Sequence, residues 1–145
     1  MSQSLDALSS SFRLRVFEVL ARLIERDVMV MIIQTLRTPE QQAEYLARGA
    51  SWTPLSTHLP RRLRGLTDEP ERCDAIDLCP YAVYTAAPGG DKLAWDESHP
   101  HWQVIGEVVE RIDGLRWGGR FRPPAKPDLG HVELVFHPAE VPRSA

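Results

Sequence analysis

Four side chains of this sequence, His58, Asp77, Asp128 and His131, are of the types needed to hold a hydrolytic metal ion and to work a water molecule beside it. A zinc site of that kind uses three protein ligands, nitrogen or carboxylate oxygen, and leaves a fourth position open for water. It also needs a carboxylate that stays off the metal and accepts the water's proton. His58, Asp77 and His131 supply the three ligands and Asp128 the fourth group. Each has a plain alternative: Asp77 can end a strand by binding backbone N–H groups, and Asp128 can cap the turn before the last strand. The remaining histidines, His99, His101 and His137, sit beside prolines and read as surface residues.

Positioning such a set requires elements, and their periodicity is readable. From Ser4 to about Arg26, apolar residues recur with the 3.6-residue period of an amphipathic helix. Val28 to Ile33 is a short, β-branched apolar run that suits a buried strand. Thr38, Pro39 and Gln41 form a helix start, a capping threonine with proline first and glutamine three after the cap, and the helix stops at Gly49. Arg37 is left at the junction between strand and helix. Residues 50 to 72 read as a long loop. Cys73 to Leu78 reads as a strand with Cys73, Ala75 and Asp77 on one face. Pro80 to Lys92 forms a second loop around PGGDK, and Asp96 or Ser98 is placed to cap a helix that carries Trp102, Ile105, Val108, Val109 and Ile112. LRWGGRF and GHVELVF are strand-like, and in the second His131 and Glu133 share one face while Val132 and Leu134 share the other. Helices followed by several strands imply an α+β domain with an antiparallel sheet.

The bulk numbers narrow the class. The chain has 145 residues, 43% hydrophobic and 26% charged, enough to bury the core of one domain spanning 1–145. A formal net charge of -3 gives no basic field, so nucleic acid is not expected as a partner. The basic patch of Arg61, Arg62 and Arg64 reads as a solvated loop, with contact to an anionic substrate as the alternative. Cys73 and Cys79 on one strand would stand roughly 20 Å apart, far beyond disulfide reach, and are expected as free thiols. No apolar run reaches the length of about 18 residues that spans a bilayer, and the N-terminus lacks the pattern of a signal peptide. The expectation is a soluble monomer made in the cytoplasm, without stable membrane association.

Taken in order, the motifs resemble a known family. Ser56 with His58 (SxH), Ala75 with Asp77 (AxD), Trp117-Gly118-Gly119 (WGG), and Asp128, His131 and Glu133 (DxxHxE) resemble the zinc peptidases of bacterial cell walls. That group includes L-alanyl-D-glutamate endopeptidases, many of them phage endolysins, and D-alanyl-D-alanine carboxypeptidases and dipeptidases. Arg37, Thr38, Glu40, Gln41, Tyr45 and Gly49 resemble the family's arginine and the helix after it. The resemblance implies the zinc D-Ala-D-Ala-peptidase fold, shared with hedgehog N-terminal domains, with a small antiparallel sheet flanked by helices. It implies Zn2+ on His58, Asp77 and His131, Asp128 as general base, and Arg37 as the cation that stabilises the oxyanion. Ser56 is expected to touch substrate, Trp117 to wall the cleft, and Glu133 to orient His131 from behind. The substrate implied is a peptidoglycan stem peptide, reached at the cell wall after release from the cytoplasm. An aspartate as base favours the L-Ala–D-Glu bond. D-Ala-D-Ala carboxypeptidase activity, or a non-catalytic zinc-containing wall-binding module, are the alternatives.

Three departures from the family pattern carry expectations of their own. The family spaces its first ligands as SxHxxGxAxD, whereas His58 and Asp77 here are 19 apart, so residues 59–72 form an insertion that must loop out and return. Closing a longer loop costs only about 0.6 kcal/mol per doubling of length, so the insertion is thermodynamically tolerable. Its arginines are candidates to meet substrate carboxylates or cover the cleft. Cys73 replaces the glycine, with packing expected over approach to the metal, and Val132 replaces an aromatic.

Overall fold

The computed structural model describes residues 2–81 and 92–135; residues 88–91 of the PGGDK stretch and His137 lie outside them. Helix α1 (Ser10–Glu25) buries Phe12, Val16, Val19 and Leu23 along one face, the stripe visible in the sequence. It starts later than the periodicity suggests, because Leu5–Ala7 form a separate 3-10 turn. Its first turn is capped from a distance: the Glu69 carboxylate accepts the Ser10 backbone N–H at 3.0 and 3.1 Å and also the Ser10 hydroxyl.

Strand β1 (Val30–Gln34) leads into helix α2 (Pro39–Ala47). The expected helix start is present as a full capping box, in which the Thr38 hydroxyl accepts from Gln41 N–H and the Gln41 side chain accepts from Thr38 N–H. Gly49, at φ +75°, ends the helix in the left-handed conformation that a β-carbon disfavours. Strand β2 (Ala75–Pro80), helix α3 (His101–Glu110), strand β3 (Leu115–Trp117) and strand β4 (His131–Leu134) follow. The α3 start differs from the expectation: the Asp96 carboxylate holds Ser98 N–H and hydroxyl in a turn instead, and the helix begins after Pro100.

The sheet is antiparallel throughout, in the order β1-β2-β4-β3. Its register sorts side chains by face. Ile76 pairs with Val132, and Val132 with Trp117. Together with Leu78 and Leu134 they join the buried faces of α1 and α3 in one core. The opposite face is polar: Asp77 stands directly across from His131, Ala75 from Glu133, and Glu133 from Arg116. A register shift between Ile32 and Gln34 in β1 brings Gln34 opposite Asp77 on that face. Among the described residues, no helix is long and apolar enough to cross a membrane.

A candidate metal centre in an open cleft

The polar face of the sheet floors a cleft of about 870 Å³, which reaches Arg37, Ser56, His58, Asp128, His131 and Glu133. His58 is 1% exposed and lies in the loop before the insertion. Its backbone N–H donates to Ser56 Oγ at 3.2 Å, and its carbonyl accepts from Arg37 N–H at 2.9 Å. Ser56 thus props the ligand loop as well as lining the cleft.

The two imidazoles are oriented by partners that lie away from the site. His58 Nδ1 is 2.6 Å from the Thr35 carbonyl; a carbonyl only accepts, so Nδ1 carries a hydrogen and Nε2 is the nitrogen turned toward the cluster. That Nε2 is buried without a hydrogen-bond partner, 3.2 Å from Asp77 Oδ1. His131 donates from Nε2 to Glu133 Oε1 at 2.7 Å, which turns Nδ1 toward the same Asp77 Oδ1, 3.3 Å away. An ion held tetrahedrally at 2.0–2.1 Å from its ligands sets them about 3.3 Å apart. The two separations match that edge, and all three ligand atoms lie within 4.8 Å of one another. A buried, orphaned imidazole nitrogen and a nitrogen-oxygen-nitrogen donor set therefore fit Zn2+.

Charge in the cluster is balanced among its members. Burial raises the Asp77 pKa, but the charges and hydrogen bonds of His58 and His131 outweigh it and hold the carboxyl below the usual range. Burial disfavours the His131 cation, yet its bonds to Asp77 and Glu133 push its pKa up to about 10. A cation binding at Nδ1 would therefore compete with a proton there. Desolvation in the cleft and the nearby charge of Asp77 raise the Asp128 pKa. Asp128 is held in place by the WGG stretch: its N–H donates to the Gly118 carbonyl at 2.9 Å. A β-carbon on Gly118 would stand 2.5 Å from the Asp128 carbonyl oxygen and 2.8 Å from His131 Cβ, so only glycine lets the two approach.

Arg37 sits where the sequence suggests, and two residues that sequence reasoning missed hold it there. Its Nε and Nη2 donate to Gln34 Oε1 at 3.0 and 2.6 Å, and its Nη1 to Gln42 Oε1 at 2.6 Å. The Gln42 amide in turn donates to Ser51 Oγ and the Thr53 carbonyl, and the Tyr45 ring lies 4.5 Å from the guanidinium carbon. Burial lowers the Arg37 pKa against the opposing charge of Asp77, whose Oδ2 is 3.9 Å away. The missed signal was the lone polar residue closing an apolar strand, Gln34.

Three expectations change. Trp117 is not a wall of the cleft: it belongs to the core face with Val132, and its Nε1 donates to the Leu129 carbonyl at 2.8 Å. Trp52, Trp95 and Phe121 line the cleft in its place. Cys73 does not approach the proposed metal ligands, because β2 begins only at Ala75 and Cys73 itself is drawn into a bridge with Leu8. Cys73 is fully buried in the core, and burial pushes its thiol up to about 12. Both cysteines are free, as expected.

The basic patch, thirdly, does not line the cleft, and of its three arginines only Arg62, paired with the exposed Glu71, is the solvated residue expected. Arg61, 3% exposed, points Nη1 at both oxygens of the buried Asp74, at 2.7 and 2.6 Å. Arg64 adds a contact at 2.8 Å and the Ser9 hydroxyl another at 2.5 Å. Backbone bonds from Arg61 to Arg72 and from Arg62 to Pro70 close the insertion, and Asp74 N–H donates to the Thr57 carbonyl at 3.0 Å. This clasp brings His58 back beside Asp77.

No protein-family model and no curated protein matches the chain by sequence. The α+β architecture matches that of a solved cell-wall peptidase. The crystal structure of the Serratia marcescens L-Ala D-Glu endopeptidase ChiX superposes with a TM-score of 0.57 at 19% identity, over 94% of this chain and 87% of that one.

Proposed function

We propose that the protein is a zinc-dependent peptidase of peptidoglycan stem peptides and that it cuts between L-Ala and D-Glu. The observation that carries the reading is the pair of oriented nitrogens, His58 Nε2 and His131 Nδ1, set 3.2 and 3.3 Å from one Asp77 oxygen. The choice of bond is supported by the aspartate at 128 and by the fold shared with an L-Ala D-Glu endopeptidase. His58, Asp77 and His131 would hold Zn2+, which acts when bound as a Lewis acid toward a carbonyl and lowers the pKa of water. Asp128, its proton affinity raised by the cleft and by Asp77, takes the proton of the attacking water and returns it to the leaving amine. Arg37, fixed by two glutamines, offers a permanent cation to the oxygen on which negative charge develops. Ser56 sits in the cleft wall within reach of the peptide. By resemblance to endolysins, the protein acts on the wall after release from the cytoplasm.

The test is digestion of purified peptidoglycan with and without chelator, followed by mass spectrometry. New N-terminal D-Glu that appears only with metal supports the reading. Loss of terminal D-Ala alone would move the activity to a carboxypeptidase, and binding without cleavage would leave a wall-binding module.

A further inference from the structure

Among the described residues three permanently cationic side chains line the cleft: Arg37, Arg116 and Lys126. Three of the five N–H groups of Arg37, one on each nitrogen, are held by Gln34 and Gln42. Arg116 is different. It lies on β3 directly across from Glu133, with its side chain 53% exposed. Its nearest carboxylate contact is Glu133 Oε2 at 3.9 Å, too long for a hydrogen bond, and its guanidinium donates to no described residue. The other Glu133 oxygen is 2.7 Å from His131 Nε2, so a single carboxylate separates this guanidinium from a proposed metal ligand. Across the sheet, Arg37 follows β1 at one edge and Arg116 stands on β3 at the other, with Asp77 and His131 between them. One edge is therefore committed to the reacting oxygen, and the other presents an unspent planar donor set suited to bidentate carboxylate recognition. Lys126 projects from a proline-flanked loop and lacks both the fork and the ladder that fixes Arg116.

We propose that Arg116 is a specificity-determining residue that binds a free carboxylate on the substrate residue whose nitrogen is released. The inference rests on the peptidase reading above and deepens it. An acidic residue on that side has two carboxyl groups, and at most one continues the chain. When the chain continues through the γ-carboxyl, the free carboxylate is two bonds from the released nitrogen, close to the metal-binding face where Arg116 stands. Substrates that carry an amide at that position lose the charge-assisted pair and leave the guanidinium without its partner.

The experiment compares two synthetic stem peptides that differ only in having this carboxylate free or as its primary amide. kcat and KM are measured for the metal-loaded wild type, Arg116→Gln and Lys126→Gln. The wild type is expected to favour the free acid by roughly tenfold or more in kcat/KM. Arg116→Gln is expected to raise KM for the acid by a similar factor, leave the amide unchanged and erase the preference, whereas Lys126→Gln keeps it. Equal cleavage of both peptides by the wild type overturns the inference and leaves the peptidase reading standing. An equal loss on both peptides in Arg116→Gln also overturns it, because the residue would then act only through Glu133. Loss of preference in Lys126→Gln alone assigns the carboxylate elsewhere. Cleavage of neither peptide by the wild type overturns both readings.

Discussion

Replacing Asp74 with alanine tests whether the insertion is held by its buried ion pair. The carboxylate is fully buried and receives Arg61, Arg64 and the Ser9 hydroxyl. Truncation strips a nearly buried guanidinium of its main counter-charge, a change that costs about 3–5 kcal/mol when no partner remains. Arg61 keeps Asp68 at 3.0 Å, but Asp68 is largely exposed, so the expected loss is about 3 kcal/mol. That is a large share of the stability of a small domain. Arg64 makes one contact to the same carboxylate and is more exposed, so Arg64→Ala should cost about 1 kcal/mol. The assay is urea unfolding of metal-free protein, which separates the clasp from any stabilisation by bound metal. Pairing Asp74→Ala with Arg61→Ala in a double-mutant cycle should show the two losses to be far from additive. An Asp74→Ala midpoint within the equivalent of 1 kcal/mol of wild type, or additive losses, would refute the idea that this pair closes the loop.

The remaining predictions concern the site and its frame. Glu133→Gln removes the charge behind His131, so zinc affinity measured by chelator competition should fall roughly 10- to 100-fold with the fold retained; unchanged affinity would count against its orienting role. Gln42→Leu frees Arg37 Nη1 and should lower kcat by roughly tenfold or more while leaving zinc affinity unaltered, and an unaltered kcat would dismiss the support proposed for Arg37. Burial opposes ionisation of Glu69, but its bonds to Ser10 prevail and lower its pKa in the folded state. Its charge therefore contributes stability above the unfolded pKa of about 4.3, and that contribution is lost as pH falls through the lower folded value. Glu69→Gln should be less stable than wild type by about 0.5–1 kcal/mol at pH 7, with the gap closing in acid; a gap independent of pH contradicts the assignment.

What could be read from the sequence was local or periodic. The α1 stripe, the capping box at Thr38 and Gln41, and the alternation of His131 and Glu133 against Val132 and Leu134 each rest on neighbours a few residues apart, and all appear in the structure. The proposed ligand set was legible through residue type and motif order. Its geometry was not, because it depends on pairings distant in sequence: Asp77 with His131 across the β2–β4 ladder, and His58 with the Thr35 carbonyl. Arg61 and Arg64 were misread for the same reason. Composition around residues 61–64 looks like a solvated turn, and nothing local shows that an aspartate at 74 is buried within reach. Trp117 was misassigned by motif, since a tryptophan before two glycines suits a cleft wall as well as a core. Only the register with Val132 decides which face it takes.

The same long-range pairings imply that site and fold are one mechanical unit. Thr35, which accepts from His58, lies one residue beyond β1, and Arg37, which donates to two glutamine oxygens, is two residues further on. His58 is tied backward to this junction through Arg37 N–H and forward to β2 through Thr57 and Asp74. Any movement that displaced the β1–α2 junction relative to β2 would therefore shift His58 and Arg37, the proposed metal ligand and oxyanion cation, together. The insertion, which adds length where the ligand loop can least tolerate drift, is the segment that carries the buried clasp. Arg61 and Arg64 neutralise Asp74 without entering the cleft, so the charge that holds the loop is kept apart from the charge proposed to act on substrate.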